Sequence, residues 1–288
     1  YGFWKESFIE QRLGEELYYG YVENELESGT PTMGGVIIII GIISSTLLWA
    51  DLSNIYVWTL IFVSLSLGGL GLLDDILKIK YENSRGLKSK YKFVGQLIIS
   101  SLTLLILIKF SDHNYLYDLY FPFFKNLIVN LGWFFIPFSI FIIIGSSNAV
   151  NLTDGLDGLA TVPVILVAGC FAFISYVTGN IVFSEYLNIP YLEGMGEVAV
   201  FCGSIIGACL GFLWFNAPPA KIFMGDTGSL ALGGSLGAVG IITKHEIVLA
   251  ITGGLFVLEA VSVIVQVVSF KLTGKRVFRM APIHHHFE

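Results

Sequence analysis

The chain is 288 residues long, 55% hydrophobic and only 13% charged, with a mean hydropathy of +0.76. That composition excludes an ordinary soluble domain and reads as an all-α polytopic integral membrane protein. The formal net charge of −6 speaks against nucleic acid as a partner, and in a membrane protein the placement of charges says more than their sum.

Residues 1–20 hold Lys5, Glu6, Glu10, Arg12, Glu15 and Glu16 where a cleavable signal would have a short apolar core, so targeting rests on the internal spans. A spanning helix needs roughly 20 apolar residues. Eight runs qualify, at residues 33–50, 56–73, 93–110, 127–147, 159–178, 198–215, 227–243 and 247–270. Pro137 predicts a kink in the fourth run, and Gly253-Gly254 a bend in the eighth. Cys170, Cys202 and Cys209 lie in apolar runs without metal-like spacing and read as small core residues.

Counted loop by loop, thirteen of the sixteen Lys and Arg residues fall on one side of these runs, and only Lys109, Lys125 and Lys244 on the other. The first side is therefore expected in the cytoplasm. The opposite side carries loop 111–126, rich in Tyr and Phe like an interfacial belt, and loop 179–197, acidic with no basic residue.

Polar clusters interrupt this apolar background. Asp74 and Asp75 end the second run, with Lys78 on the same face if the helix continues. Adjacent carboxylates at a helix C-terminus oppose its dipole, and either an ion pair with Lys78 or Mg²⁺ with phosphate-binding lysines offsets them. Asn151, Asp154 and Asp157 recur every three residues in NLTDGLDGL. One of them suffices to cap the fifth span; three can meet a nucleobase edge or a metal. Residues 215–229, FNAPPAKIFMGDTGS, form a polar island between two apolar runs. There Asp226 falls where a helix begins, with unpaired backbone N–H groups and a positive dipole end suited to phosphate or to a metal holding phosphate. His284, His285 and His286 follow the basic residues Lys275, Arg276 and Arg279, and suit a phosphate better than zinc, since consecutive histidines rarely all reach one metal. Glu259 and Gln266 lie inside the eighth run and read as interhelical hydrogen bonding or a water-lined groove rather than a proton relay.

The clusters at residues 74–78, 151–157, 216–226 and 284–286 all fall on the cytoplasmic side of the charge count. A transporter would hold ionisable groups near mid-span, where this chain has few. An enzyme with a cytoplasmic cleft is the better reading.

Taken together, GTPTMGG at Gly29, DDxxK at Asp74, NAVNLTDGLDGLA at Asn148, FNxxPAxxFMGDTGSL at Phe215 and PIHHHFE at Pro282 resemble the phospho-N-acetylmuramoyl-pentapeptide transferase family. That family lies within the polyprenyl-phosphate N-acetylhexosamine-1-phosphate transferase superfamily. The resemblance covers residues 29–288 as one membrane-embedded transferase domain and leaves residues 1–28 as a poorly matching segment. It implies Mg²⁺-dependent transfer of phospho-MurNAc-pentapeptide from UDP-MurNAc-pentapeptide to undecaprenyl phosphate, giving lipid I and UMP for peptidoglycan. It implies a multi-pass enzyme of the bacterial inner membrane, a homodimer in contact with membrane lipid, with ten spans in the complete family fold.

Residue by residue, the resemblance makes Asp226 the Mg²⁺ ligand with Asn151 as a weaker metal and substrate contact. Asp74 and Asp75 become the aspartates that deprotonate or position the lipid phosphate. Lys78 and Lys90 become phosphate-binding residues, while Asp154, Asn216 and Phe223 form the uridine pocket, and Asp157 and the three histidines occupy further active-site positions. Two features depart from the family. Glu27 stands where the family has a nucleotide-contacting Lys, and spans before and after this region have no counterpart, as in an incomplete chain. The alternatives are a superfamily relative acting on UDP-GlcNAc or another UDP-sugar and, more remotely, a transporter or lipid flippase.

Overall fold

A computed structural model describes residues 31–81, 86–110, 116–124 and 127–287; the readings placed on Glu27, on residues 1–28 and on the start of GTPTMGG lie outside them. The helices run α1 Gly35–Trp49, α2 Ile55–Lys80, α3 Ser89–Phe110, α4 Phe135–Thr153, α5 Thr161–Thr178, α6 Ile181–Leu187, α7 Met195–Asn216, α8 Gly225–Ile242, α9 Glu246–Thr252, α10 Gly254–Thr273 and α11 His284–Phe287. Between α3 and α4 lies a short antiparallel hairpin, β1 Asp118–Tyr120 with β2 Ile128–Asn130, in which Leu119 faces Val129.

Among the described residues six helical segments are long and apolar enough to cross a membrane: α2, α3, α5, α7, α10 and Gly132–Thr153, which contains α4. The protein is thus a mostly helical, multi-pass membrane protein. Two of the eight expected runs fall outside that set, for separate reasons. α1 is apolar but has only 15 residues. α8 has 18 residues, and Gly225, Gly228, Gly233, Gly234, Gly237 and Gly240 dilute its hydropathy.

Two expectations about helix shape resolve differently. The eighth run does break at the glycine pair, α9 ending at Thr252 and α10 starting at Gly254. Pro137 produces no kink, because β2 takes the start of the fourth run and α4 begins only at Phe135. Pro137 then sits in the first turn, where its missing N–H has no partner to lose.

The fold is built around α8. Every residue from Thr227 to Ile242 is buried, against α2 on one flank and α4 on the other. In a membrane there is little hydrophobic drive between helices, so close packing and interhelical hydrogen bonds hold them. Both are present. A Cβ at Gly233 would lie 2.4 Å from the Ser146 carbonyl oxygen, so only glycine lets α4 come this near. Ser64 and Ser235 hydroxyls lie 2.7 Å apart between α2 and α8, and Ser147 Oγ donates to the Leu230 carbonyl at 3.1 Å between α4 and α8.

The order of elements sends the chain back and forth, which gathers helix ends. The C-terminal ends of α2 and α4 and the N-terminal ends of α1 and α3 meet the start of α8, and Asn216 at the end of α7 ties the start of α5 to the loop that leads into α8. At the far end Lys244 is buried, with Nζ bonded to the Leu116 carbonyl oxygen, 3.6 Å from Glu246 Oε1 and 4.2 Å from the Phe135 ring centroid. Burial lowers the Lys244 ammonium from its ordinary value.

Gly233→Ala is expected to destabilise the protein by about 1–3 kcal/mol through overpacking. At Gly145, also in α4, a Cβ meets nothing within 4 Å, and Gly145→Ala should raise stability by about 0.5–1 kcal/mol. Thermal unfolding midpoints of the two variants in the same detergent check the contrast.

Candidate active site

The site begins with how α8 starts. Gly225 has φ +73, a left-handed turn that suits glycine, and the next residues expose the unpaired N–H groups of a helix N-terminus. The preceding residue, Met224, offers no side-chain cap. The cap comes from α2 instead. Asp75 Oδ1 accepts from the Asp226 N–H at 3.2 Å, and Oδ2 accepts from the Thr227 N–H at 2.9 Å and the Thr227 hydroxyl at 2.7 Å. Gly71 makes the approach possible, since a Cβ there would lie 2.2 Å from the Asp226 carbonyl oxygen.

With its backbone held this way, Asp226 aims its carboxylate at three neighbours. Oδ2 accepts from Lys92 Nζ at 2.7 Å and Lys78 Nζ at 3.0 Å, and Oδ1 accepts from Asn151 Nδ2 at 2.7 Å. Asn151 also donates to Ser229 Oγ at 2.9 Å. α2 runs on past Asp75 to Lys80, so Lys78 lies one turn from Asp74 and pairs with its Oδ2 at 2.6 Å, while Asp74 Oδ1 accepts from the Leu87 N–H. Asp74, Asp75 and Asp226 each bring an oxygen within 4.8 Å of the others. Three carboxylates against two lysines leave one uncompensated negative charge. An all-oxygen donor set with excess negative charge fits a hard divalent cation.

Around this centre, loops are fastened by side chains that the sequence reading also singled out. Asp157 Oδ2 accepts from the Ala220 N–H at 2.8 Å. Asn216 is buried, with Oδ1 accepting from the Gly158 N–H at 3.1 Å and the Thr161 hydroxyl at 3.0 Å while Nδ2 donates to the Ile222 carbonyl at 3.1 Å. Phe223 has a half-buried ring, and its backbone pairs with the glycine-rich entry: its N–H donates to Pro31 and its carbonyl accepts from Gly34, both at 2.9 Å. Asp154, just after α4, accepts from the Gly225 backbone. Burial, then the charges of Asp226 and Asp75, push its carboxyl up to about 7.

Comparison with known proteins matches this framework. The family model for glycosyl transferase family 4 matches residues 57–244, and signature 1 of phospho-N-acetylmuramoyl-pentapeptide-transferase matches residues 28–39. The phospho-N-acetylmuramoyl-pentapeptide-transferase of Pelagibacter ubique (strain HTCC1062) is 77% identical over 260 residues, which cover 90% of this chain and 72% of that protein. The chain belongs to the phospho-N-acetylmuramoyl-pentapeptide-transferase family.

As a transferase of this family it carries its signature segment where the structure gives it work, pairing with residues 223–224 beside the carboxylates. Of the lysines in this transferase, the structure brings Lys78 and Lys92 to Asp226, whereas Lys90 is exposed. In the sequence Lys92 is one of the thirteen Lys and Arg residues on the expected cytoplasmic side, with nothing local to mark it as a site residue. The clue to it lies in helical phase: the buried residues of α3 are Gln96, Ser100, Thr103, Leu104 and Leu107, and Lys92 precedes Gln96 by one turn on that face. His284, His285 and His286 lie in α11, which returns to α10 and sets His284 Nδ1 3.1 Å from Glu259 Oε1. Lys221 is exposed.

Two outcomes follow from this geometry. Lys92→Met is expected to lower transferase turnover about a hundredfold, the scale of losing one preorganised charge at a reacting centre, with Lys90→Met much nearer wild type under identical assay. For Asp154, the folded protein binds the proton more tightly than the unfolded chain, whose carboxyl has the ordinary value of 3.8. Its contribution therefore makes stability fall as pH rises from about 4 to about 7 and level off above. Asp154→Asn should flatten that slope in melting midpoints measured across pH in metal-free buffer.

Proposed function

We propose that this enzyme transfers phospho-MurNAc-pentapeptide from UDP-MurNAc-pentapeptide to undecaprenyl phosphate, giving lipid I and UMP. The observation that carries this reading is the Asp74–Asp75–Asp226 cluster with Lys78 and Lys92, set at a helix N-terminus where the ends of α1, α2, α3 and α4 converge. A phosphate oxygen of the lipid attacks the β-phosphorus of the nucleotide; a new P–O bond forms, the bond from that phosphorus to the bridging oxygen breaks, and its electron pair leaves with UMP. One pyrophosphate link is broken and one is made, so catalysis reduces mainly to positioning and charge neutralisation.

Each residue then has a task. Asp226 is the expected Mg²⁺ ligand, held in orientation by Asn151, which donates to its Oδ1. An Mg²⁺ ion held there would supply charge neutralisation for the pyrophosphate oxygens. Asp75 sets the N-terminus of α8, and with it the Asp226 backbone. Asp74 is the carboxylate placed to deprotonate or orient the lipid phosphate. Lys78 and Lys92 can exchange a carboxylate partner for a phosphate oxygen with little movement. Asp154 and Phe223, with Asn216 fastening the loops between them, form the proposed uridine pocket, Phe223 stacking on the base. Asp157 holds the 217–221 loop beside it, and exposed Lys90 remains available to steer anionic substrate.

The same reading sets the chain in the bacterial inner membrane with the cluster on the cytoplasmic face, where the nucleotide is supplied and thirteen of sixteen Lys and Arg residues are expected. Eight membrane passages of this chain, counting α1, α8 and the broken α9–α10 pair, accord with the alternation of helix ends. They belong to a ten-span, homodimeric family arrangement.

The test is UMP release by protein in lipid nanodiscs supplied with undecaprenyl phosphate, Mg²⁺ and either UDP-MurNAc-pentapeptide or UDP-GlcNAc. Activity with the first, lost on chelation and in Asp226→Ala by at least about a thousandfold while the variant still melts cooperatively, supports the proposal. Turnover of UDP-GlcNAc alone, or full activity in Asp226→Ala, overturns it.

A further inference from the structure

Lys92 reaches Asp226 from α3, a helix whose hydroxyl side chains bond mostly to their own backbone. Ser101 Oγ donates to the Leu97 carbonyl at 2.7 Å, and Thr103 Oγ1 to the Ile99 carbonyl at 2.9 Å. Among the described residues, the side chains of α3 that bond to other helices are Lys92 and Gln96, one turn apart on one face. Gln96 is 1% exposed. It forms a reciprocal amide pair with Asn148 of α4: Asn148 Nδ2 donates to Gln96 Oε1 at 3.0 Å, and Gln96 Nε2 donates to Asn148 Oδ1 at 3.3 Å. Gln96 Nε2 also donates to Ser147 Oγ at 3.4 Å, and that hydroxyl donates in turn to the Leu230 carbonyl of α8 at 3.1 Å.

These bonds join, one turn along each helix, the same three helices that meet at Asp226. Lys92 precedes Gln96 by four residues, Asn148 precedes Asn151 by three, and Asp226 precedes Leu230 by four. At the site itself, Lys92 Nζ and Asn151 Nδ2 hold the two oxygens of the Asp226 carboxylate. One turn away, Gln96, Asn148, Ser147 and the Leu230 carbonyl connect α3, α4 and α8 through neutral groups. A lysine has a long stem with much rotamer freedom, so it does not by itself fix the helix that carries it. An amide pair that donates and accepts at both ends sets rotation and register together. Interhelical adhesion alone leaves the location of that pair unexplained. Among the described residues, no side-chain hydrogen bond from residues 100–110 of α3 reaches a neighbouring helix, and the one amide pair sits on the turn next to Lys92.

We infer that Gln96 is a positioning residue for Lys92: its amide pair with Asn148 sets the rotation of α3 against α4, so that the Lys92 ammonium is held on Asp226 Oδ2, ready for a phosphate oxygen of the substrate. For its catalytic consequence the inference rests on the transferase reading above; for the placement of Lys92 it rests on geometry alone. Gln96 acts without contact with the reacting atoms.

The experiment joins lysine labelling to a double-mutant cycle, both on the protein in lipid nanodiscs. Without substrate or Mg²⁺, the protein is acetylated with an amine-reactive ester, and the rate at each lysine is read by mass spectrometry. Lys92 is expected to react more slowly than exposed Lys90 in the wild type. Gln96→Met, which keeps the side-chain length and loses the amide, should speed Lys92 severalfold while Lys78, paired with Asp74 on α2, keeps its rate. In the cycle, Gln96→Met is expected to lower kcat about tenfold, and the double variant with Lys92→Met should be no slower than Lys92→Met alone. Additive losses, a Lys92 labelling rate unchanged by Gln96→Met, or equal speeding of Lys92 and Lys78, which marks general loosening, each overturn the inference. If Gln96→Met does not fold, Asn148→Ala breaks the same pair from α4 and is judged by the same outcomes. The two readings fail separately. Wild-type protein without UMP release refutes the transferase reading, while the labelling rates still decide whether Gln96 places Lys92.

Discussion

Everything at the reacting end of this molecule depends on one carboxylate that caps a helix to which it is not attached in sequence. Asp75, on α2, satisfies two backbone N–H groups and a hydroxyl at the start of α8. In water a helix N-terminus can turn to solvent; at a membrane face, under packed helices, its unpaired N–H groups need a partner or cost free energy. The cap also positions. By fixing Asp226 N–H and Thr227 N–H it sets the direction in which the Asp226 side chain leaves the helix, and Gly71 lets α2 come close enough for that to happen.

Once Asp226 is placed, electrostatics decides what else must stand near it. Asp74, Asp75 and Asp226 crowd into one small volume, and unbalanced they would repel one another in a medium of reduced dielectric. Lys78 comes from the same helix as two of them, and Lys92 from the next. The arrangement is nearly neutral as it stands, and remains one positive charge short. That shortage is what makes the cluster suited to a divalent ion and an anionic substrate arriving together, since each supplies what the other lacks.

The surrounding loops are cross-linked, and the C-terminal arm folds back along α10. Asn216 and Asp157 tie residues 157–161 to residues 216–222, and the backbone of Phe223 pairs with Pro31 and Gly34, so the walls beside the cluster are cross-linked through groups with little freedom left. Among the described residues, the arm after Gly274 is tied to α10 by the side chains of Gln266 and Glu259.

How much of this was readable beforehand follows from what is local. The spans, the membrane class and the polar interruptions are properties of short stretches, because a membrane demands that each segment be apolar and satisfy its own backbone. Those alone sufficed to mark Asp74, Asp75, Asn151, Asp154 and Asp226 as chemistry-bearing. Helix ends were less legible: the fourth run's apolar start became a strand, moving Pro137 into a first turn. Roles were less legible still. Asp74 and Asp75 are neighbours in sequence, yet Asp74 pairs closely with Lys78, at 2.6 Å, while Asp75, 3.8 Å from that lysine, caps a helix 152 residues away. Lys90 and Lys92 differ by two positions, yet half a turn of helix sends one to solvent and the other to Asp226. By itself the sequence determined which residues would lie in the membrane and which could do chemistry. Only the tertiary structure decided which of them share a charge and which hold the scaffold, because that depends on helix phase and on contacts between segments far apart in the chain.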